Sequence, residues 1–147
     1  MSDARWMGRC LELARRARSQ GEAAVGCVVV RDGAVLGESG ERVRAPMDPA
    51  GHAEILALQA ACRSLGSLDL AGSTLYTNVE PCFMCSHAIR ECGIAKVVIL
   101  QPFEGMGGVT SIHPILTDDR LPYRWPPPRC AWATDPPDPD DPPPPSA

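Results

Sequence analysis

Two short runs limit the fold more than any other feature. "AAVGCVVV" at 23–30 is apolar throughout, and "AKVVIL" at 95–100 has only one polar residue. A half-exposed strand alternates apolar and polar positions, so runs like these belong to strands covered on both faces. Such a sheet needs helices on each side. Residues 3–19 supply one: Trp6, Cys10, Leu13, Ala14 and Ala17 recur at spacings of three and four, Asp3 can cap the start and Gly21 can end it. "RDG" at 31–33 is turn chemistry leading into a partner strand, "AVLGES" at 34–39. Pro46, Asp48, Pro49 and Gly51 mark a loop over 40–51. A second helix is expected from His52 to about Leu65, with Ile55, Leu58, Ala61, Cys62 and Leu65 on one side and Gly66 as its stop. "STLYTNV" at 73–79 reads as a strand, and Pro81 suits the first turn of a third helix over 82–92, ended by Gly93. The order helix, hairpin, helix, strand, helix, strand predicts a three-layer α/β/α sandwich on a mixed sheet, its two later strands parallel across a helical crossover.

Seven cysteines, an odd number, and an N-terminus "MSDARWMGRC" without an apolar leader argue against a disulfide framework. A reducing, cytoplasmic setting is expected, in which a CxxC is read as metal-binding or redox-active. No run approaches the roughly 18–20 apolar residues of a membrane span. Of the 18 acids, Asp135, Asp138, Asp140 and Asp141 lie in the tail, leaving 14 acids against 14 bases in residues 1–134. A neutral body with an acidic tail gives little for phosphates to bind. Arg5, Arg9, Arg15, Arg16 and Arg18 form the one basic cluster, read as the solvated face of the first helix. Eleven of the sixteen prolines lie at or beyond Pro122, and 135–147 is a low-complexity Pro/Asp tail expected to be disordered.

The chemistry gathers at two helix starts. His52 and Glu54 head the second helix, and Cys82 and Cys85 head the third. Sulfurs at i and i+3 share a face, and the positive end of a helix favours thiolates. Two thiolates and a neutral imidazole match Zn²⁺, and three protein ligands leave the fourth position open, as in catalytic sites. Cys92 lies about 10 Å along the helix from Cys85, too far for one ion. Cys62 reads as a core thiol and His87 as a surface imidazole. Glu54, two residues from His52, can face the site without ligating and move protons between water and a substrate nitrogen. A structural zinc ribbon would need a second ligand pair. A redox CxxC would leave the His-x-Glu unexplained.

His52-Ala53-Glu54 followed by Pro81-Cys82-Phe83-Met84-Cys85 resembles the signature of zinc-dependent nucleobase deaminases, the system for which this motif is a standard example. The resemblance spans roughly residues 5–118. "DPAGHAEILAL", "STLYTNVEPCFMC" and "HAIRECGIAKVVI" are similar to the branch of guanine deaminases, fungal-type cytosine deaminases and tRNA adenosine deaminases. It implies a cytidine deaminase-like fold with a five-stranded sheet in a domain over 1–121. It also implies zinc ligands His52, Cys82 and Cys85, and Glu54 as proton shuttle in hydrolytic deamination by zinc-activated water. The Ala53 N–H and the Pro81 carbonyl would contact substrate, and a homodimer would pack through the helices near the zinc. In guanine deaminases the C-terminal segment can close over a neighbouring site, so 122–134 is a candidate lid.

For the substrate, the neutral body and acidic tail lean away from tRNA, whose deaminases end in a basic helix. In the family the loop after the second strand presents an asparagine to substrate, and Glu41 falls near that slot. Glu104 stands near an acidic position of related deaminases that faces the substrate. Phe103, Trp125 and Trp132 can stack on a flat ring, and Asn78 either bonds a base edge or faces the other side of its strand. The expected reaction is deamination of a free nucleobase or aminoheterocycle (guanine, cytosine or aminotriazine type), with nucleic acid unlikely as a partner. A tRNA adenosine deaminase, a nucleoside deaminase and a non-catalytic zinc module are the alternatives.

Overall fold

A computed structural model describes residues 3–133. The elements in chain order are α1 (Asp3–Ser19), β1 (Gly26–Arg31), β2 (Ala34–Gly40), α2 (Ala53–Leu65), β3 (Thr74–Val79), α3 (Phe83–Cys92), β4 (Lys96–Gln101) and β5 (Arg129–Trp132). The sheet order is β2-β1-β3-β4-β5. β1 pairs antiparallel with β2 and β3, whereas β3–β4 and β4–β5 are parallel. The expected parallel pair is therefore β3–β4. Asp32 and Gly33 both take positive φ, 53° and 74°, between β1 and β2, the backbone of a tight hairpin turn whose twist matches its strands.

Side-chain alternation divides β1, β3 and β4 between two cores. Val28, Val30, Tyr76 and Val98 face α1 and meet Trp6, Met7, Cys10 and Leu13. The intervening Cys27, Val29, Leu75, Val97 and Ile99 face the other way, onto Ala53, Ala57, Leu58 and Ala61 of α2 and Ile89 of α3. The alanines of α2 let it lie close on the sheet. Gly37 of β2 sits so near that a Cβ there would overlap the α2 backbone at Ala57 and Ala61. The three-layer mixed sheet is the cytidine deaminase-like fold.

The fifth strand comes from the segment considered as a lid. Arg129–Trp132 pairs with β4 at the sheet edge. Tyr123 and Trp125 pack on α3: the Tyr123 hydroxyl lies 2.7 Å from His87 Nδ1, and Trp125 covers Gly93. The guanidinium of Arg90, itself buried, stacks 4.4 Å from the Tyr123 ring centre and donates to the carbonyls of Ile115 and Asp118. Sequence pattern placed no strand here because three consecutive prolines precede it and only four residues pair. The 135–147 tail lies outside the described residues.

Candidate active site

α2 and α3 both begin beside the carboxyl end of β3, and each starts one residue later than its first functional side chain. His52 is the N-cap of α2 and Cys82 the N-cap of α3, both extended and neither using its side chain to cap. Those side chains turn to each other. His52 Nδ1 lies 3.5 Å from Cys82 Sγ and 3.5 Å from Cys85 Sγ, and the three donor atoms fall within 4.8 Å of one another. Sulfur at about 2.3 Å and nitrogen at about 2.05 Å from a tetrahedral zinc would be about 3.5 Å apart, so the donor set fits that ion. Among the described residues this is the one cluster of its kind. Cys62 and Cys92 instead lie together where α2 and α3 pack, against the core.

The electrostatics agree with a metal centre. The hydrogen bond from the Cys85 thiol holds Cys82 down at about 5, helped by backbone N–H groups at the head of α3 and by His52. The same bond, burial and the nearby Glu54 push Cys85 far up. The Cys85 Sγ also lies 3.5 Å from Glu54 Oε2, to which its thiol also donates; a divalent ion would displace that proton.

Glu54 is buried on the same side. Burial, with a smaller push from Glu41 and Cys82, raises it to about 7 against the pull of its own backbone N–H and of Thr77. The Thr77 hydroxyl lies 3.1 Å from Glu54 Oε1 and 2.9 Å from the Val79 carbonyl. One hydroxyl carries one proton. It can donate to an ionised Glu54, or turn to Val79 and accept from a protonated Glu54, so the site tolerates both states.

A cavity of about 50 Å³ opens here, lined by Val25, Glu41, His52, Glu54, Val79, Glu80, Cys82 and Phe103. It is large enough to admit a water beside Glu54 and the metal-ligand cluster. Of the substrate contacts expected from sequence, Glu41 and Phe103 line it. Glu41 Oε1 also accepts the Ala53 N–H at 2.9 Å. With His52 turned to the thiols, Glu41 satisfies the first amide of α2 in its place. Burial raises Glu41, although His52 and the Ala53 N–H pull it back. Ala53 therefore has its N–H engaged within the protein. The Pro81 carbonyl likewise accepts from Gly108 N–H at 2.8 Å and lies 3.2 Å from the Ser86 hydroxyl, so both of its lone pairs are used.

Two expected contacts are elsewhere. Glu104 is exposed in the turn where Met106 and Gly107 donate to the Phe103 carbonyl, and it does not line the cavity. Asn78 faces the opposite side of β3 from Thr77, as period-two alternation demands. There its Oδ1 accepts Gly26 N–H at 2.8 Å and its Nδ2 donates to the Ala24 carbonyl at 2.9 Å, tying down the entry to β1.

Glu80, which pattern reading passed over, is 1% exposed and lines the cavity. Its Oε2 accepts the N–H groups of Val109 and Thr110 at 2.8 and 2.9 Å; Oε1 accepts Phe103 N–H at 3.1 Å and the Thr110 hydroxyl at 2.7 Å. Burial alone would raise this carboxyl. The bonds from Thr110, Val109 and Phe103 outweigh it and hold the group below its ordinary value. Glu80 thus moulds the 103–110 loop that carries Phe103. A Cβ on Gly107 would overlap its carboxylate. An acid inside an otherwise apolar strand-to-helix junction was the available signal.

A buried carboxyl poised near neutrality beside two cysteine sulfurs and an imidazole, at the helix starts of this sandwich, defines a zinc-dependent hydrolytic deaminase. The chain belongs to the family of the cytidine and deoxycytidylate deaminase zinc-binding region, which it matches over residues 1–101. The tRNA-specific adenosine deaminase of Aquifex aeolicus is 39% identical to it over 114 residues, 78% of this chain and 76% of the relative. A structure from work on A-to-I editing by tRNA:A34 deaminases aligns with a TM-score of 0.80 at 32% identity, covering 87% of this chain and 96% of that one. Guanine deaminase from Bacillus subtilis aligns with a TM-score of 0.67 at 34% identity, covering 69% and 66%.

These comparisons overturn two expectations: a free base or aminoheterocycle as substrate, and nucleic acid as an unlikely partner. Curated relatives 31% to 43% identical are named for tRNA. The expectation rested on a neutral body, an acidic tail and the lack of a basic C-terminal helix, but net charge says little when phosphate binding depends on where individual cations sit. Among the described residues no helix is long and apolar enough to cross a membrane.

Proposed function

We propose that this enzyme deaminates an adenosine of tRNA to inosine, consuming water and releasing ammonia. The observation that carries the reading is the likeness to tRNA-specific adenosine deaminases across both motifs, over 78% of this chain for the Aquifex relative. His52, Cys82 and Cys85 would hold the zinc. When bound, zinc supplies the Lewis acidity that lets water ionise near neutral pH. Glu54 accepts the proton of the attacking water and gives it to the ring nitrogen beside the amine-bearing carbon; it then takes the proton of the hydroxyl added to that carbon and delivers it to the departing amine, leaving a carbonyl and ammonia. Thr77 keeps Glu54 oriented through this cycle. Phe103 meets the base at the cavity mouth, and Glu41 stands beside it. Cytoplasmic location, where tRNA is modified, and a homodimer belong to the same reading.

The test is to incubate zinc-loaded protein with an RNA anticodon stem-loop bearing an unpaired adenosine, and separately with free bases and nucleosides, measuring inosine and ammonia. Inosine in the RNA is expected. Ammonia from a free base with none from the RNA would overturn the proposal.

A further inference from the structure

A second depression adjoins the cavity. Between the C-terminal half of α1 and the loop after β2 runs a groove of about 160 Å³, lined by Arg16, Gln20, Gly40, Glu41 and Arg42 among others. Glu41 lines both groove and cavity, so the two adjoin across this one side chain.

The loop is built to present its arginines. The Glu22 carboxylate accepts the N–H groups of Val43, Arg44 and Ala45 at 3.2, 2.8 and 3.1 Å, which fixes the backbone path. Arg42 N–H donates to the Gly51 carbonyl at 2.9 Å. Arg42 is thus rooted beside Glu41 on one side and, through Gly51, beside His52 on the other. It is exposed and makes no ion pair among the described residues. Arg44, also exposed, donates to the Gly21 carbonyl at 3.2 Å, tying the loop to the end of α1. The Arg16 side chain is 62% exposed and pairs with Glu12 at 2.6 Å. A place in the last turn of a helix accounts for Arg16 through the helix dipole. It does not account for Arg42, which is on no helix yet lines the same groove.

The order of chemistry from cavity to groove is zinc ligands and proton shuttle, then a carboxylate, then two guanidiniums. That is the order in which a ribonucleotide would be read: base, ribose hydroxyl, phosphate. A carboxylate accepts from a hydroxyl and repels a phosphate, whereas guanidinium binds phosphate. Resting on the tRNA deaminase reading, we infer that this groove is the track of the RNA backbone, with Glu41 accepting a ribose hydroxyl of the target nucleotide and Arg42 and Arg16 holding the phosphates beside it. Phosphate contacts position a strand without reading sequence, so these residues set affinity and register rather than base choice. The ribose hydroxyl distinguishes RNA from DNA.

The test uses full-length, zinc-loaded protein and the fluorescently labelled stem-loop, with anisotropy followed across a salt series and deamination measured alongside. Arg42→Ala and the Arg16→Ala/Arg42→Ala double variant are compared with wild type and with Arg63→Ala, an exposed control at the far end of α2. Zinc content and Tm are measured for each. The double variant is expected to lower the slope of log K against log salt by about 2 and to weaken binding about tenfold or more at low salt, with zinc and Tm unchanged and Arg63→Ala silent. Wild-type affinity and slope in the double variant, with wild-type protein still editing the RNA, would overturn this inference and leave the function standing. No editing of RNA by wild type would remove both. A single 2′-deoxy substitution at the target adenosine is expected to lower kcat/KM about tenfold; equal turnover would strike Glu41 from the proposal.

Discussion

Replacing Glu80 by glutamine tests how the site is assembled. The side chain keeps its shape but loses its charge and exchanges one acceptor oxygen for an NH₂ donor. A nitrogen at the Oε2 position would face the N–H groups of both Val109 and Thr110. At the Oε1 position it would face only Phe103 N–H, because the Thr110 hydroxyl can turn and accept. The second arrangement therefore wins. It forfeits the bond from Phe103, whose exposed position lets that N–H reach water. It also turns three charge-assisted bonds, from the Val109 and Thr110 N–H groups and the Thr110 hydroxyl, into ordinary ones. At about 1 kcal/mol for each conversion and about 1 to 1.5 kcal/mol for the lost bond, the destabilisation is about 4 kcal/mol. For a chain of this length that corresponds to about 12 °C in Tm. Because the loop carries Phe103 to the cavity mouth, kcat/KM should fall between about tenfold and a hundredfold while zinc stays bound. Differential scanning calorimetry, amide exchange at Val109 and Thr110, and steady-state kinetics would measure these effects. A Tm shift under about 2 °C with unchanged exchange would refute the reasoning.

Glu54→Gln should retain zinc and cut turnover by about a thousandfold, the scale of a lost general acid–base; near-normal kcat would end its assignment as proton shuttle. Cys82→Ser should lose zinc, measured by atomic absorption, and a chelator should abolish wild-type activity until zinc is restored. Asn78→Ala strands the buried Gly26 N–H and should cost about 2–3 kcal/mol in urea unfolding without changing kcat, since it lies across the sheet from the site. The Glu22 carboxyl is held below its ordinary value, first by the Arg44 N–H and then by those of Ala45 and Val43. A depressed folded value stabilises the loop above the unfolded value, about pH 4.3, and that contribution is lost as pH falls below it. Exchange protection at these three amides should therefore decline with acid in wild type and stay flat in Glu22→Gln.

The sequence alone determined the layers and the metal chemistry. Both depend on short-range pattern: valine runs without alternation demand a sheet covered on both sides, and His52, Cys82 and Cys85 announce a metal site because their spacing sets them at two helix starts. Only the tertiary structure decided what the remaining polar groups do. Asn78 and Thr77 are neighbours in β3, and the pleat sends one to the β1 clamp and the other to Glu54. Glu41 and Glu104 look alike in sequence, yet one closes on the Ala53 amide and the other points to solvent. Arg16 and Arg42 become one surface because β2 returns the chain to the side of α1. Such assignments depend on which distant donor, acceptor or charge arrives opposite each side chain, and that is fixed by the packing of the whole sheet.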